Sequence, residues 1–263
     1  MNSPIPWLGG KSRLADQIIK ILPTHDHYAE AFTGAGWIYF RKPLAKSESL
    51  NDINGDLIAF YRVLQSHLEE FCKQFKWLLA SREMFTDFRR QQTAGGLTDI
   101  QRAARFYYLQ RLAFGGRQGG VFGVDKTSQP RINLVRMEEE LSQVHLRLTH
   151  TIIENLPWQD YVARYDGPST FFYLDPPYYG CEKDYGRDIF SRDDFAHLAE
   201  VLGQIKGKFL LSINDVPEIR EAFKAFGVRE VETTYSVQQE GSQKVQELLF
   251  MNYTPDRGLL KYL

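Results

Sequence analysis

Residues 169–180 read STFFYLDPPYYG. An aromatic and apolar run, Thr170 to Leu174, stops at one acid, Asp175; two prolines and two tyrosines follow. Such a run reads as a buried strand. Pro176 and Pro177 end it, because proline lacks the N–H that a strand ladder needs. The strand thus carries a carboxylate at its C-terminal tip. The prolines also hold the backbone rigid, so its carbonyls stay in place and meet few competing donors. The Asp175 carboxylate and the Pro176 carbonyl can then present two acceptors side by side, with the face of Tyr178 nearby. A primary amine on a planar base calls for that set: two acceptors for two N–H groups, and a ring to stack on.

Outward from this stretch, short strand-like runs alternate with helical patterns. HYAEAF (27–32), ESLN (48–51), TIIEN (151–155), TFFYL (170–174) and KFLLSI (208–213) read as strands. Helical patterns lie near 191–205 and 216–226. VREVETTY (228–235) and VQELLFMNY (245–253) read as a closing antiparallel pair. Strands alternating with helices predict an α/β fold with a mostly parallel sheet and right-handed crossovers. Residues 55–150 interrupt that rhythm. They read as a helical lobe with a glycine-rich loop, GGRQGGVFG (115–123), inserted into a domain made of 1–54 and 151–263.

The 263 residues suffice for one large domain or for a core with an inserted lobe. There is no apolar run of membrane-spanning length, and MNSPIPWLGGKSRL has no signal-peptide core. Cys72 and Cys181 give neither a metal-ligand spacing nor a disulfide framework, so a cytoplasmic protein without a metal is expected. The net charge of −1 hides an uneven distribution. Residues 101–136 hold seven bases (Arg102, Arg105, Arg111, Arg117, Lys126, Arg131, Arg136) against Asp125 alone, whereas 154–200 hold ten acids against four bases. The basic segment is interleaved with Phe106, Tyr107, Tyr108, Phe114 and Phe122. It reads equally as a nucleic-acid surface or as an amphipathic helix with a solvated basic face.

In an open parallel sheet, ligands bind beyond the carboxyl ends of the strands. Two further strand ends stand out. In EAFTGAGWIYF (30–40), Gly34 and Gly36 allow a tight turn and close approach to a ligand, although the pattern is shorter than a dinucleotide fingerprint. In SLNDINGDL (49–57), Asp52 ends the next strand, where an acid can accept ribose hydroxyls. Its plainer alternative is an Asx turn or a helix cap, which Asn54 also suits. Gly10-Lys11-Ser12 imitates the end of a phosphate-binding loop, but the first glycine of that pattern would fall at Ile5 and no strand precedes it.

PWLGGK (6–11), AFTGAG (31–36), LNDINGDL (50–57) and DPPYY (175–179), followed by LSINDVPEIR (211–220) and QELLFMNY (246–253), together resemble the Dam-type, D12-class N6-adenine DNA methyltransferases. The resemblance implies a Rossmann-like methyltransferase domain with a seven-stranded, mostly parallel sheet, a terminal antiparallel hairpin and an inserted helical target-recognition lobe. It implies S-adenosylmethionine as donor, held by Trp7, Lys11, Phe32, Gly34, Gly36 and Asp52, with Asp175 bordering that pocket. It implies a catalytic set of Asp175, Pro176 and Tyr178 acting on an adenine flipped out of double-stranded DNA. The lobe would bind DNA through Arg111, Arg117, Gln118, Lys126 and Arg131. The expected alternatives are an N4-cytosine methyltransferase and a catalytically silent DNA-binding protein. A cognate restriction endonuclease is possible for such a family, but the sequence implies none. Pro6 stands where GATC-reading members carry lysine, and LAFGGRQGGVFGVD (112–125) replaces their tyrosine- and asparagine-rich loop. The resemblance therefore implies adenine methylation without implying GATC.

Overall fold

The structure is a computed structural model and describes residues 1–78, 80–116, 119–123, 132, 134–181, 190–237 and 241–255. In chain order the elements are α1 (Ala15–Lys20), β1 (His27–Glu30), α2 (Trp37–Arg41), β2 (Ser47–Asn51), α3 (Gly55–Ser66), α4 (Leu68–Lys73), α5 (Arg82–Arg90), α6 (Asp99–Leu112) and α7 (Leu134–Leu148). They continue with β3 (Thr151–Glu154), α8 (Trp158–Tyr165), β4 (Thr170–Leu174), α9 (Asp193–Gln204), β5 (Lys208–Asn214), α10 (Pro217–Ala222), β6 (Gly227–Val237) and β7 (Gly241–Met251). Seven strands form one sheet in the order β3-β2-β1-β4-β5-β7-β6. The fold is the expected α/β one: β1 pairs in parallel with β2 and β4, β4 with β5, and β7 runs antiparallel to β5 and β6. No helix among the described residues is long and apolar enough to cross a membrane.

The chain divides into two compact units. One comprises Lys11–Thr33, Arg41–Ile53 and Leu156–Leu263. Its core lies on the faces of β4 and β5, where Phe172, Leu174, Phe209, Leu211 and Ile213 meet Trp158, Leu198 and Phe223. Every residue of β4 is buried, as a central parallel strand covered on both faces requires. The parallel β1, β2, β4 and β5 bring their C-terminal ends to one edge of the sheet. The strand read over 27–32 stops at Glu30; beyond it the Thr33 amide turns to the Asn51 carbonyl at 2.9 Å, and Asn51 Nδ2 donates to the Ala31 carbonyl.

The other unit comprises Met1–Gly10, Gly34–Phe40 and Asn54–Asn155. Its helices begin where the sequence supplies caps. Asn54 accepts from the Asp56 and Leu57 amides at the start of α3, Ser81 from the Met84 amide, and Thr98 and Gln101 form a capping box. Phe60, Phe71, Phe75, Phe106 and Tyr107 pack ring against ring in its core. Tyr107 and Tyr108 are buried here, as core residues of α6. The glycine-rich loop has a closed base. The Phe114 amide donates to the Val121 carbonyl at 2.8 Å, and buried Gln110 donates to the carbonyls of Gly116 and Pro6.

Candidate active site

Asp175 follows β4 directly, so the last turn of a buried strand places its carboxylate. Its Oδ1 lies 2.7 Å from the Lys11 ammonium and accepts from the Ser212 hydroxyl on β5 at 3.0 Å. Among the described residues, Oδ2 accepts from no protein donor. Ser212 in turn is 2.9 Å from the hydroxyl of buried Tyr173. Burial, and secondarily the Asp175 charge, push the Tyr173 hydroxyl well above its ordinary range, so it stays protonated.

Lys11 is the hub. Its side chain is only 2% exposed. Besides Asp175, its ammonium donates to the Tyr178 hydroxyl at 3.0 Å and sits 3.6 Å from Oε2 of Glu247 on β7. The Tyr178 hydroxyl donates to Glu247 Oε1 at 2.5 Å. Glu247 is fully buried. One cation thus stands between two acids, and the ring of Tyr178 is tethered at its hydroxyl end. Loss of hydration raises the Asp175 carboxyl to about 6, with Glu247 adding to the rise and Lys11 and Ser212 opposing it. The side chain is still 20% exposed, so solvent tempers that rise.

Pro176 and Pro177 are buried. The loop after them is pinned by Asn214 at the end of β5, which accepts from the Tyr179 amide at 2.9 Å and donates back to its carbonyl at 3.1 Å. Tyr179 packs on Phe195 with ring centroids 5.5 Å apart. The two tyrosines of the opening stretch therefore differ: Tyr178 belongs to the polar cluster, Tyr179 to the packing.

Phe32 and Asp52 stand at the ends of β1 and β2. Phe32 is half-buried against Trp158 and Phe190. Asp52 is half-buried just past Asn51, and the cap of α3 is made by Asn54 instead. In the other unit, Gly34 and Gly36 have positive φ, 47° and 65°. A Cβ on Gly34 would come within 2.8 Å of Trp7 Nε1, so the glycine makes room for the indole. Gly34 also accepts from the Tyr61 hydroxyl at 2.8 Å through its carbonyl.

Of the basic residues in the lobe, Arg105 is buried, donating to Asp56 Oδ2 at 3.3 Å and to the Gln91 carbonyl. Arg102 also pairs with Asp56. Arg111 is half-buried with its guanidinium 5.8 Å from the Tyr107 ring centroid. Arg117, Gln118, Lys126 and Arg131 lie outside the described residues. Sequence reasoning missed Glu247 and Ser212. The only signal for them was a serine inside the apolar run of β5 and a glutamate at the head of the apolar run Leu248–Met251 of β7. No group of histidine, cysteine or acidic residues that could hold a metal ion occurs among the described residues.

Comparison with known proteins gives the chemistry a family. The profile of the D12 class N6 adenine-specific DNA methyltransferases matches residues 7–237. The type II methyltransferase M1.LlaDCHI of Lactococcus lactis subsp. cremoris is 28% identical over 94% of this chain and 94% of its own. The DNA adenine methylases of Salmonella typhi and Escherichia coli (strain K12) are 28% and 27% identical over 95% of both chains. With its strand-end acid, its prolines and its matching profile, the chain belongs to the D12 class of N6 adenine-specific DNA methyltransferases, which methylate adenine in DNA.

Proposed function

We propose that the protein is a site-specific methyltransferase that acts on an adenine flipped out of double-stranded DNA, with S-adenosylmethionine as donor and the Asp175-Pro176-Tyr178 segment as its catalytic set. The observation that carries this reading is the division of labour at Asp175. Oδ1 is held by Lys11 and Ser212, and Oδ2 is left to accept from a substrate.

The donor's chemistry suits the residues at the strand ends. S-adenosylmethionine carries a methyl group on a sulfonium, which departs as a neutral thioether. Asp52, half-buried past β2, is an acceptor for ribose hydroxyls, and Phe32 past β1 supplies an apolar wall. Lys11 lies within the Asp175 cluster, so its part in donor binding is indirect.

On the substrate side, Asp175 Oδ2 and the Pro176 carbonyl accept the two N–H bonds of the adenine amine. The nitrogen lone pair, delocalised into the ring in free adenine, is thereby directed out of the ring plane. Positive charge develops on that nitrogen as it is alkylated, and the fixed carboxylate stabilises it. The surplus proton is held on Oδ2 and passes to solvent on the exposed side of Asp175. Tyr178, fixed at its hydroxyl, presents its ring as the stacking face for the extruded base. The helical lobe recognises DNA, with Arg111, Lys126 and Arg131 on phosphates and Arg117 and Gln118 of the glycine-rich loop on base edges.

The test is incubation of purified protein with S-adenosylmethionine and unmethylated double-stranded DNA, followed by nucleoside mass spectrometry and mapping of the modified sites. N6-methyladenine at a defined sequence is the expected result. Methylation spread over adenines regardless of sequence would overturn site specificity. Methylation confined to single strands would overturn the duplex substrate.

A further inference from the structure

The reaction accounts for Asp175, Pro176 and Tyr178 but not for Glu247. This acid is 72 residues beyond Asp175 in the chain, 0% exposed, on β7 just before the buried apolar run Leu248–Met251. Burying a carboxylate is costly, so its retention calls for partners or a task. Its partners are the two groups that surround the catalytic carboxylate: the Tyr178 hydroxyl at 2.5 Å and the Lys11 ammonium at 3.6 Å.

We propose that Glu247 is a positioning residue for methyl transfer, which holds the Tyr178 ring by its hydroxyl and draws the Lys11 charge away from Asp175. This rests on the catalytic role assigned above to Asp175. With a single acid beside it, Lys11 would neutralise Asp175 and weaken it as an acceptor. With Glu247 on its other side, the ammonium is shared and the cluster carries one net negative charge. Asp175 then keeps the basicity needed to stabilise a positive nitrogen. The direction of the Asp175 shift agrees, since Glu247 raises its pKa while Lys11 lowers it. The other groups facing Asp175 are Ser212 from β5 and Tyr173 from β4, with Glu30 of β1 beyond Tyr173.

Glu247→Gln tests the idea, because glutamine can still accept from Tyr178 but carries no charge. Carboxyl-carbon NMR titration of Asp175 in the donor-free protein reads the electrostatic part without turnover. A fall of the Asp175 midpoint by roughly half a pH unit or more is expected. The acid limb of kcat should move with it, and kcat should drop about tenfold while the KM for donor and DNA stays within about threefold. A midpoint that stays put, or a full kcat, in a variant of unchanged Tm overturns the inference. If Glu247→Gln unfolds, Tyr178→Phe and Glu247→Asp give the same test in a double-mutant cycle. Losses that add independently overturn the linkage, and losses that do not add support it. Failure of the wild-type protein to methylate adenine would instead strike the functional reading, whatever the titration shows.

Discussion

The Lys11 ammonium lies 2.7 Å from Oδ1 of Asp175, yet the Asp175 carboxyl is raised to about 6 rather than lowered. Desolvation at the end of a buried strand outweighs the ion pair, and Glu247 takes part of the cation's field. Two opposite consequences follow for pH. In the proposed mechanism methyl transfer needs the ionised Asp175 carboxylate, so kcat/KM should fall about tenfold per pH unit below 6, well above the ordinary acid range of a carboxylate. Stability runs the other way. The folded pKa exceeds the unfolded one, so the contribution is fully present below about 4 and is lost as pH rises through about 6. Asp175→Asn should therefore lose turnover by about a hundredfold or more. It should also be about 1–2 kcal/mol more stable than wild type at pH 8, with no difference below pH 4. Parallel pH–rate and urea-melt series check both; wild-type activity persisting at pH 4.5 would remove Asp175 from the reaction.

Asp52 sits half-buried past β2 and makes no cap for α3, a task that Asn54 performs. Asp52 stands just past the C-terminal end of a parallel strand, where such sheets bind ligands. Asp52→Ala should raise the dissociation constant for S-adenosylmethionine about tenfold in calorimetric titration, with Tm shifted by only a degree or two. An unchanged constant would take the ribose role away from Asp52.

Gly34 adopts φ 47°, and a Cβ there would lie 2.8 Å from Trp7 Nε1. Gly34→Ala should cost about 2–3 kcal/mol through backbone strain and displacement of the indole. Gly203 in α9 has nothing within 4 Å of an added Cβ. Gly203→Ala should stabilise by about 0.5–1 kcal/mol, because a helical alanine loses less backbone freedom. Thermal denaturation of the pair separates a glycine that the packing requires from one that it does not.

Much of the sheet around Asp175 is legible in the sequence. The strand over Thr170–Leu174 was bounded correctly because five buried residues ended on two prolines. What eluded the sequence was long-range. Glu247 joins Asp175 only through the β5–β7 pairing, whose register sets Asn214 opposite Glu247. A buried acid in a strand looks like a local anomaly until its partner strand is known. The same limit applied to the glycine turn. Its spacing points to a ligand, but not to Trp7, 27 residues earlier, whose indole fills the space that a Cβ on Gly34 would need.

The basic segment shows that limit in a testable form. By count, Arg102, Arg105 and Arg111 are equivalent candidates for phosphate contacts. In the fold Arg105 is buried and both Arg102 and Arg105 pair with Asp56, 46 and 49 residues away. A buried arginine paired with an acid holds the lobe together, because removing it empties a packed site and leaves Asp56 with Arg102 alone. Arg105→Ala should therefore cost about 3 kcal/mol of stability, while the salt dependence of DNA binding by the folded fraction keeps its slope. Arg111, half-buried at the end of α6, should behave in the opposite manner. Arg111→Ala should leave Tm within a few degrees, weaken binding to all sequences alike, and reduce the slope of log K against log salt by about one. Fluorescence anisotropy at four salt concentrations, with melts of the same samples, reads both variants. A salt slope that changed in Arg105→Ala and not in Arg111→Ala would exchange their roles.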